Sequence, residues 1–111
     1  MEDGGGIVKQ FTIFIESKIG ELAKVSEAIG RRGINIKAIV GEIYRVNPYI
    51  KLVTNDVQTT EKVLKNGGFD FEFKEILSIE MPDRPGELAK IAKQLAKARI
   101  NVESLYILGQ K

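Results

Sequence analysis

The sequence predicts an α+β protein made of one complete folding unit and part of a second. Three observations carry that prediction. Several short runs alternate apolar with other residues, as strands with one buried face do. Two runs place apolar residues three and four apart, as helices do. The pentamer Gly-Glu-Leu-Ala-Lys stands at 20–24 and again at 86–90, and its surroundings repeat with it.

At the same offset Ile13 falls on Ile79, Ile15 on Met81, Ser17 on Asp83, Lys18 on Arg84 and Ile19 on Pro85. Further along, Val25 meets Ile91, Ile29 meets Leu95, Ile34 meets Ile100, Asn35 meets Asn101 and Ile36 meets Val102. A pentamer can recur by chance, but this flanking register rarely does. The chain reads as an internal duplication of a structural unit.

The first copy opens with a strand, Phe11, Ile13 and Ile15 facing inward. The turn ESKIG follows, where Ser17 can accept from the free N–H groups of a starting helix. Leu22, Val25 and Ile29 form that helix's apolar stripe, Glu21 sits near its positive end, and Gly33 stops it. Residues 34–46 are extended, with Gly41 a candidate bulge. Asn47-Pro48 marks a turn before a strand over 49–54. Asp56 caps a short helix whose apolar side is Val57, Val63 and Leu64, and Gly67-Gly68 closes it. Phe69, Phe71 and Phe73 alternate along a fourth strand. The order β-α-β-β-α-β is the ferredoxin-like arrangement, a four-stranded antiparallel sheet with two helices on one side.

The second copy repeats the plan from Leu77, Ile79 and Met81 through the turn PDRPG. Asp83 is a candidate cap there, and Pro85 suits a first helical turn. Leu88, Ile91 and Leu95 form the stripe, and Arg99 takes the place of Gly33. A strand begins at Ile100-Asn101-Val102. This gives a flexible start over 1–6, a first unit over 7–75 and a partial second unit over 76–111. So short a piece cannot bury its own core, and the terminal run Leu105–Leu108 is too apolar for a bare edge. The expectation is a homo-oligomer, a dimer or larger, with the sheet continued across chains.

Composition narrows the chemistry. Of 111 residues 43% are hydrophobic, enough for a core, while the absence of cysteine and histidine leaves no disulfide, no thiolate or histidine catalysis and no usual zinc site. A net charge of +2 gives no electrostatic case for nucleic acid. The start MEDGGG lacks the apolar run of a signal peptide, and no stretch reaches the length of a membrane span. The chain reads as soluble and cytoplasmic, with no cofactor, no metal, no catalytic residue, no nucleic acid and no membrane among its partners.

MPDRPGELAKIAKQLAKARINV resembles the ACT domain, a small ligand-sensing module of βαββαβ fold that commonly regulates amino-acid metabolism. IESKIGELAKVSEAIGRRGINI keeps the glycine, the leucine and the asparagine and replaces Asp-Arg-Pro by Ser17, Lys18 and Ile19. The resemblance spans about residues 7–108. It implies a non-catalytic regulatory protein that binds a small effector, an amino acid, where two units meet. Transferred by position, the binding residues are Asp83, Arg84, Pro85, Gly86 and Asn101 in the second copy, and Ser17, Lys18, Gly20 and Asn35 in the first. The chemistry suits them: a carboxylate fits N–H groups at a helix start, and an aspartate or asparagine oxygen accepts from an ammonium.

Each residue also has a plainer explanation. Asp83 and Ser17 fit helix caps as well as ligand contacts. Turn geometry accounts for Gly20 and Gly86 sooner than a ligand does, and Asn35 and Asn101 can satisfy loop backbone groups. Lys90, Lys93 and Lys97 share one helical side and read as a solvated face. RNA-recognition domains share the element order, yet the third strand, YIKLVTN, lacks their aromatic pattern. Acylphosphatase-like enzymes share it too, but no phosphate-cradling loop with a placed arginine stands beyond Arg84. A third reading needs no ligand: a dimerisation or docking module, or the regulatory subunit of an enzyme of amino-acid metabolism. Fold alone does not decide among them.

Overall fold

The computed structural model describes residues 5–15, 20–44, 47–102 and 105–106. Seven elements follow in order: β1 (Gly5–Phe14), α1 (Glu21–Gly30), β2 (Ile36–Tyr44), β3 (Asn47–Thr54), α2 (Val57–Asn66), β4 (Asp70–Ile79) and α3 (Glu87–Lys97). The strands form one sheet in the order β2-β3-β1-β4, and β3 runs antiparallel to both of its neighbours. This is the ferredoxin-like βαββαβ fold of the α+β class that the sequence predicts.

By contact, residues 7–76 make one compact body and residues 1–6 with 77–111 another. In the first body Phe11 and Ile13 of β1 lie opposite Leu52 and Ile50 of β3. Val25 and Ile29 of α1 and Val63 and Leu64 of α2 close over Phe11, Ile13 and Leu52, and all seven are buried. Complete burial of a side chain of this size stabilises by about 1.5–3 kcal/mol. Phe71 packs against the same cluster, its ring 6.0 Å from that of Phe11. Leu22, predicted on the stripe, is instead exposed: the core reaches only the later turns of α1.

Local signals place α2 as expected. Asp56 is its cap and accepts from the Thr59 N–H at 3.0 Å. Behind it a hydroxyl chain ties α2 to the end of β3. Thr60 Oγ1 donates to the Asp56 carbonyl at 2.7 Å, so the buried 2.8 Å contact between Thr54 and Thr60 is donated by Thr54. Thr54 Oγ1 in turn accepts from the Asp56 N–H at 3.3 Å.

Several expectations about strands need correction. Gly41 is not a bulge; it pairs regularly with Ile50. The extra residue is Lys37, because Ile36 pairs with Thr54 and Ala38 with Val53. Asn47 and Pro48 belong to β3 and pair with Tyr44 and Ile43, not to a turn. Proline is tolerated at this end of β3, where its carbonyl accepts the Ile15 N–H at 3.2 Å. Phe73 is exposed although its alternation with Phe71 placed it inside. Of the expected flexible start, residues 1–4 lie outside the described residues, whereas Gly5 and Gly6 open β1.

The second body is described separately. Leu77 and Ile79, expected as a new strand, continue β4. Helix α3 has no buried residue: Leu88, Ile91 and Leu95 are at most half-covered. Ile100, Asn101 and Val102 form no strand, and neither do Leu105 and Tyr106; residues 107–108 of the expected terminal strand lie outside the described residues. A strand exists only by pairing, and no neighbour pairs with this stretch among the described residues.

Candidate functional site

The two GELAK segments fold alike. Gly20 (φ 93°, ψ −4°) and Gly86 (φ 88°, ψ −10°) are the residues from which α1 and α3 start. Both lie in the left-handed region, where an L side chain is strained and glycine is not. Neither helix has a side-chain cap bond. The capping role offered for Asp83 is therefore corrected: the cap position is Gly86, and Pro85 precedes the helix instead of opening it. Ser17 and Lys18 lie outside the described residues.

The turn before α3 brings Asp83, Arg84, Pro85 and Gly86 together. The Arg84 N–H bonds to the Pro82 carbonyl at 3.0 Å and the Glu87 N–H to the Arg84 carbonyl at 3.3 Å. The first helical bond runs from Lys90 to Gly86 at 3.2 Å. The N–H groups of Leu88 and Ala89 keep no hydrogen-bond partner among the described residues. They point where a helix is positive, and an anion is attracted there. Arg84 adds a cation, held 3.1 Å from Glu87, which also takes Lys90 at 3.4 Å. In the first copy Glu21 pairs with Lys24 in the same way at 3.5 Å. Asp83 is exposed and has no hydrogen bond among the described residues, so its carboxylate is available to an ammonium.

No hydrogen bond joins Asn101 to the turn at 83–86 among the described residues; it is exposed and follows the end of α3. Asn35 is more firmly held. Its N–H donates to Asn55 Oδ1 at 3.0 Å, and the Asn55 N–H donates back to the Asn35 carbonyl at 3.1 Å. The loop backbone is thus satisfied by Asn55, which leaves the Asn35 side chain free for another partner. Sequence reasoning missed Asn55, because nothing local links residues twenty apart.

The open face of the sheet in residues 7–76 carries a shallow depression of about 520 Å³, lined among others by Thr12, Phe14, Tyr49, Lys51 and Glu72. Among the described residues no three His, Cys, Asp or Glu side chains are grouped to hold a metal, and no helix is long and apolar enough to cross a membrane.

A sheet of this order with helices begun at left-handed glycines defines the class of small βαββαβ regulatory modules. The chain belongs to the ACT domain pair family, whose profile matches residues 6–111. Protein BT0572 from Bacteroides thetaiotaomicron is similar in structure, with a TM-score of 0.85 at 27% identity over 94% of this chain and 72% of that one. The ligand-free regulatory subunit of aspartate kinase from Thermus thermophilus matches with a TM-score of 0.65 at 17% identity, over 95% of this chain and 81% of that one. The corresponding subunit from Thermus flavus gives 0.62 at 18%, over 95% and 81%. At those identities the kinase subunits show a shared fold. A search of curated protein sequences finds no match.

Proposed function

We propose that this chain is a non-catalytic regulatory protein that binds a small effector, an amino acid, and acts by favouring one arrangement of an oligomer or of a partner enzyme. The observation that carries the reading is the turn at 83–86. Unpaired helix N–H groups and Arg84 can take an α-carboxylate, and the unpaired Asp83 can take the ammonium. The glycine brings a ligand close to the backbone without a side chain in the way. The equivalent turn at Gly20, with Asn35 beyond it, extends the reading to the first copy. The fold shared with regulatory subunits of aspartate kinase supports a partner enzyme in amino-acid metabolism. A ligand shifts such an equilibrium only by the difference in its affinity for the two states.

A thermal-shift panel of the twenty amino acids tests it. A ligand at a hundredfold excess over its Kd stabilises by about 2.7 kcal/mol. The expected result is a rise confined to one or two related amino acids, lost in Asp83→Ala and weakened in Asn101→Ala. A flat panel sinks the effector and favours the second reading, a ligand-free docking module. The exposed apolar side chains of the second body, Leu77, Leu88, Ile100 and Val102 among them, speak for that alternative.

A further inference from the structure

We propose that β2 is the surface through which two copies of this chain join, antiparallel and related by a two-fold axis at Gly41. This rests on the oligomer part of the reading above and names the strand that carries it; it does not depend on any ligand.

Strand β2 is an edge of the sheet. From Ala38 to Tyr44 it pairs with β3 without a bulge. It lacks the usual protections of an edge: it holds no proline, its one irregular step is back at Lys37, and Glu42 is engaged by Lys51 at 3.1 Å. Ile39 and Ile43 are 46% and 71% exposed.

The backbone groups at this edge follow from alternation. The Pro48 carbonyl is used by Ile15 of the β1 side. Groups along a strand turn alternately to its two neighbours, so Asn47, Tyr49, Lys51 and Val53 face β2. Their partners Tyr44, Glu42, Val40 and Ala38 turn inward to them. Ile39, Gly41 and Ile43 therefore turn their N–H and C=O groups to the open edge.

A second copy laid antiparallel, with Gly41 opposite Gly41, meets this pattern. Ile39 then faces Ile43 of the second copy, and symmetry repeats the pair. Every outward group from 39 to 43 gains a partner. A slip of one residue opposes outward groups to inward ones, and a slip of two sets an isoleucine against glycine. The strand is self-complementary in one register.

The arrangement also accounts for Gly41. Its φ is not positive, and a Cβ there would meet nothing within 4 Å. Nothing inside the chain calls for glycine, and glycine weakens a strand interior unless another backbone comes close. At the axis it leaves room for the isoleucines on either side.

The chain has no cysteine, so Gly41→Cys supplies one thiol per copy. Hydrogen-bonded antiparallel partners stand about 5.5 Å apart at Cα, within disulfide reach. Mild oxidation is expected to give a covalent dimer from Gly41→Cys and not from Gly30→Cys, an exposed position on α1. Light scattering is expected to show Ile43→Lys at half the mass of the native oligomer, with an unchanged circular dichroism spectrum. A monomeric native protein, an unchanged mass in Ile43→Lys, or equal cross-linking from both cysteine variants would overturn the proposal. An amino-acid response combined with any of these keeps the effector and discards the β2 pairing. A flat panel with the expected cross-link does the reverse.

Discussion

The helix that starts at Gly20 and the helix that starts at Gly86 share their first residue's conformation, their glutamate–lysine pair and their manner of ending. In α1 the Ile34 N–H bonds to the Ile29 carbonyl and the Gly33 N–H to Gly30, at 3.4 and 3.0 Å. In α3 the Ile100 N–H bonds to Leu95 and the Arg99 N–H to Ala96, at 2.9 and 3.0 Å. That pair of bonds is the Schellman motif. What differs is the cover. Val25 and Ile29 are buried, whereas Ile91 and Leu95 at the same positions are only half-covered. Short-range geometry is thus reproduced without a shared core. The amphipathic stripe of α3 is a requirement that the described residues do not meet.

The largest effect should come from deleting equivalent side chains. Ile29→Ala is expected to cost about 2–5 kcal/mol in urea unfolding. Leu95→Ala should cost less than half of that in the separated chain. An equal cost would break the comparison, since it would mean that Leu95 is covered in solution as fully as Ile29.

A smaller effect lies at the helix ends. Arg99 has φ 60°, where Gly33 has φ 69°. A left-handed residue other than glycine is strained by about 1–2 kcal/mol. Arg99→Gly should therefore stabilise by about 1 kcal/mol and Gly33→Arg should destabilise by a similar amount. Melting curves with the two signs reversed would refute the equivalence of the two ends.

The smallest effect separates α2 from both copies. The Thr59 N–H bond holds the Asp56 carboxyl below the ordinary aspartate range. Its folded pKa is lower than its unfolded one, so its contribution is complete above the unfolded value and fades as pH falls through the folded value, from about pH 4 downward. Asp56→Asn keeps a cap and should flatten that part of the melting-temperature profile. Helices α1 and α3, begun at glycines, have no such cap to lose. An unchanged profile would deny the carboxylate this role.

What was legible in the sequence was local. Asp56, Val63, Leu64 and the glycines after α2 obey rules that act within a few residues, and so does the GELAK turn that leads to the candidate site. Pro48 and Gly41 were misread because their meaning depends on which strand lies beside them. Pro48 is acceptable where only its carbonyl is used, and Gly41 keeps a regular pairing in an edge strand. The stretch from Ile100 was read as a strand from its residue types, but pairing is a property of two segments. Within the site, the left-handed glycine could be expected from the repeat. The tie between Asn35 and Asn55 could not, since it joins two loops far apart in the chain.

That tie has a mechanical consequence. Two hydrogen bonds close a ring between the α1–β2 connection and the segment entering α2, and Asp56, next to Asn55, is bonded through Thr54 and Thr60 to the interior. The two loops behave as the jaws of one hinge pin. A displacement that starts at Asn35 is passed to the first turn of α2 before it can be absorbed locally, so these loops form a rigid lever across one end of the sheet.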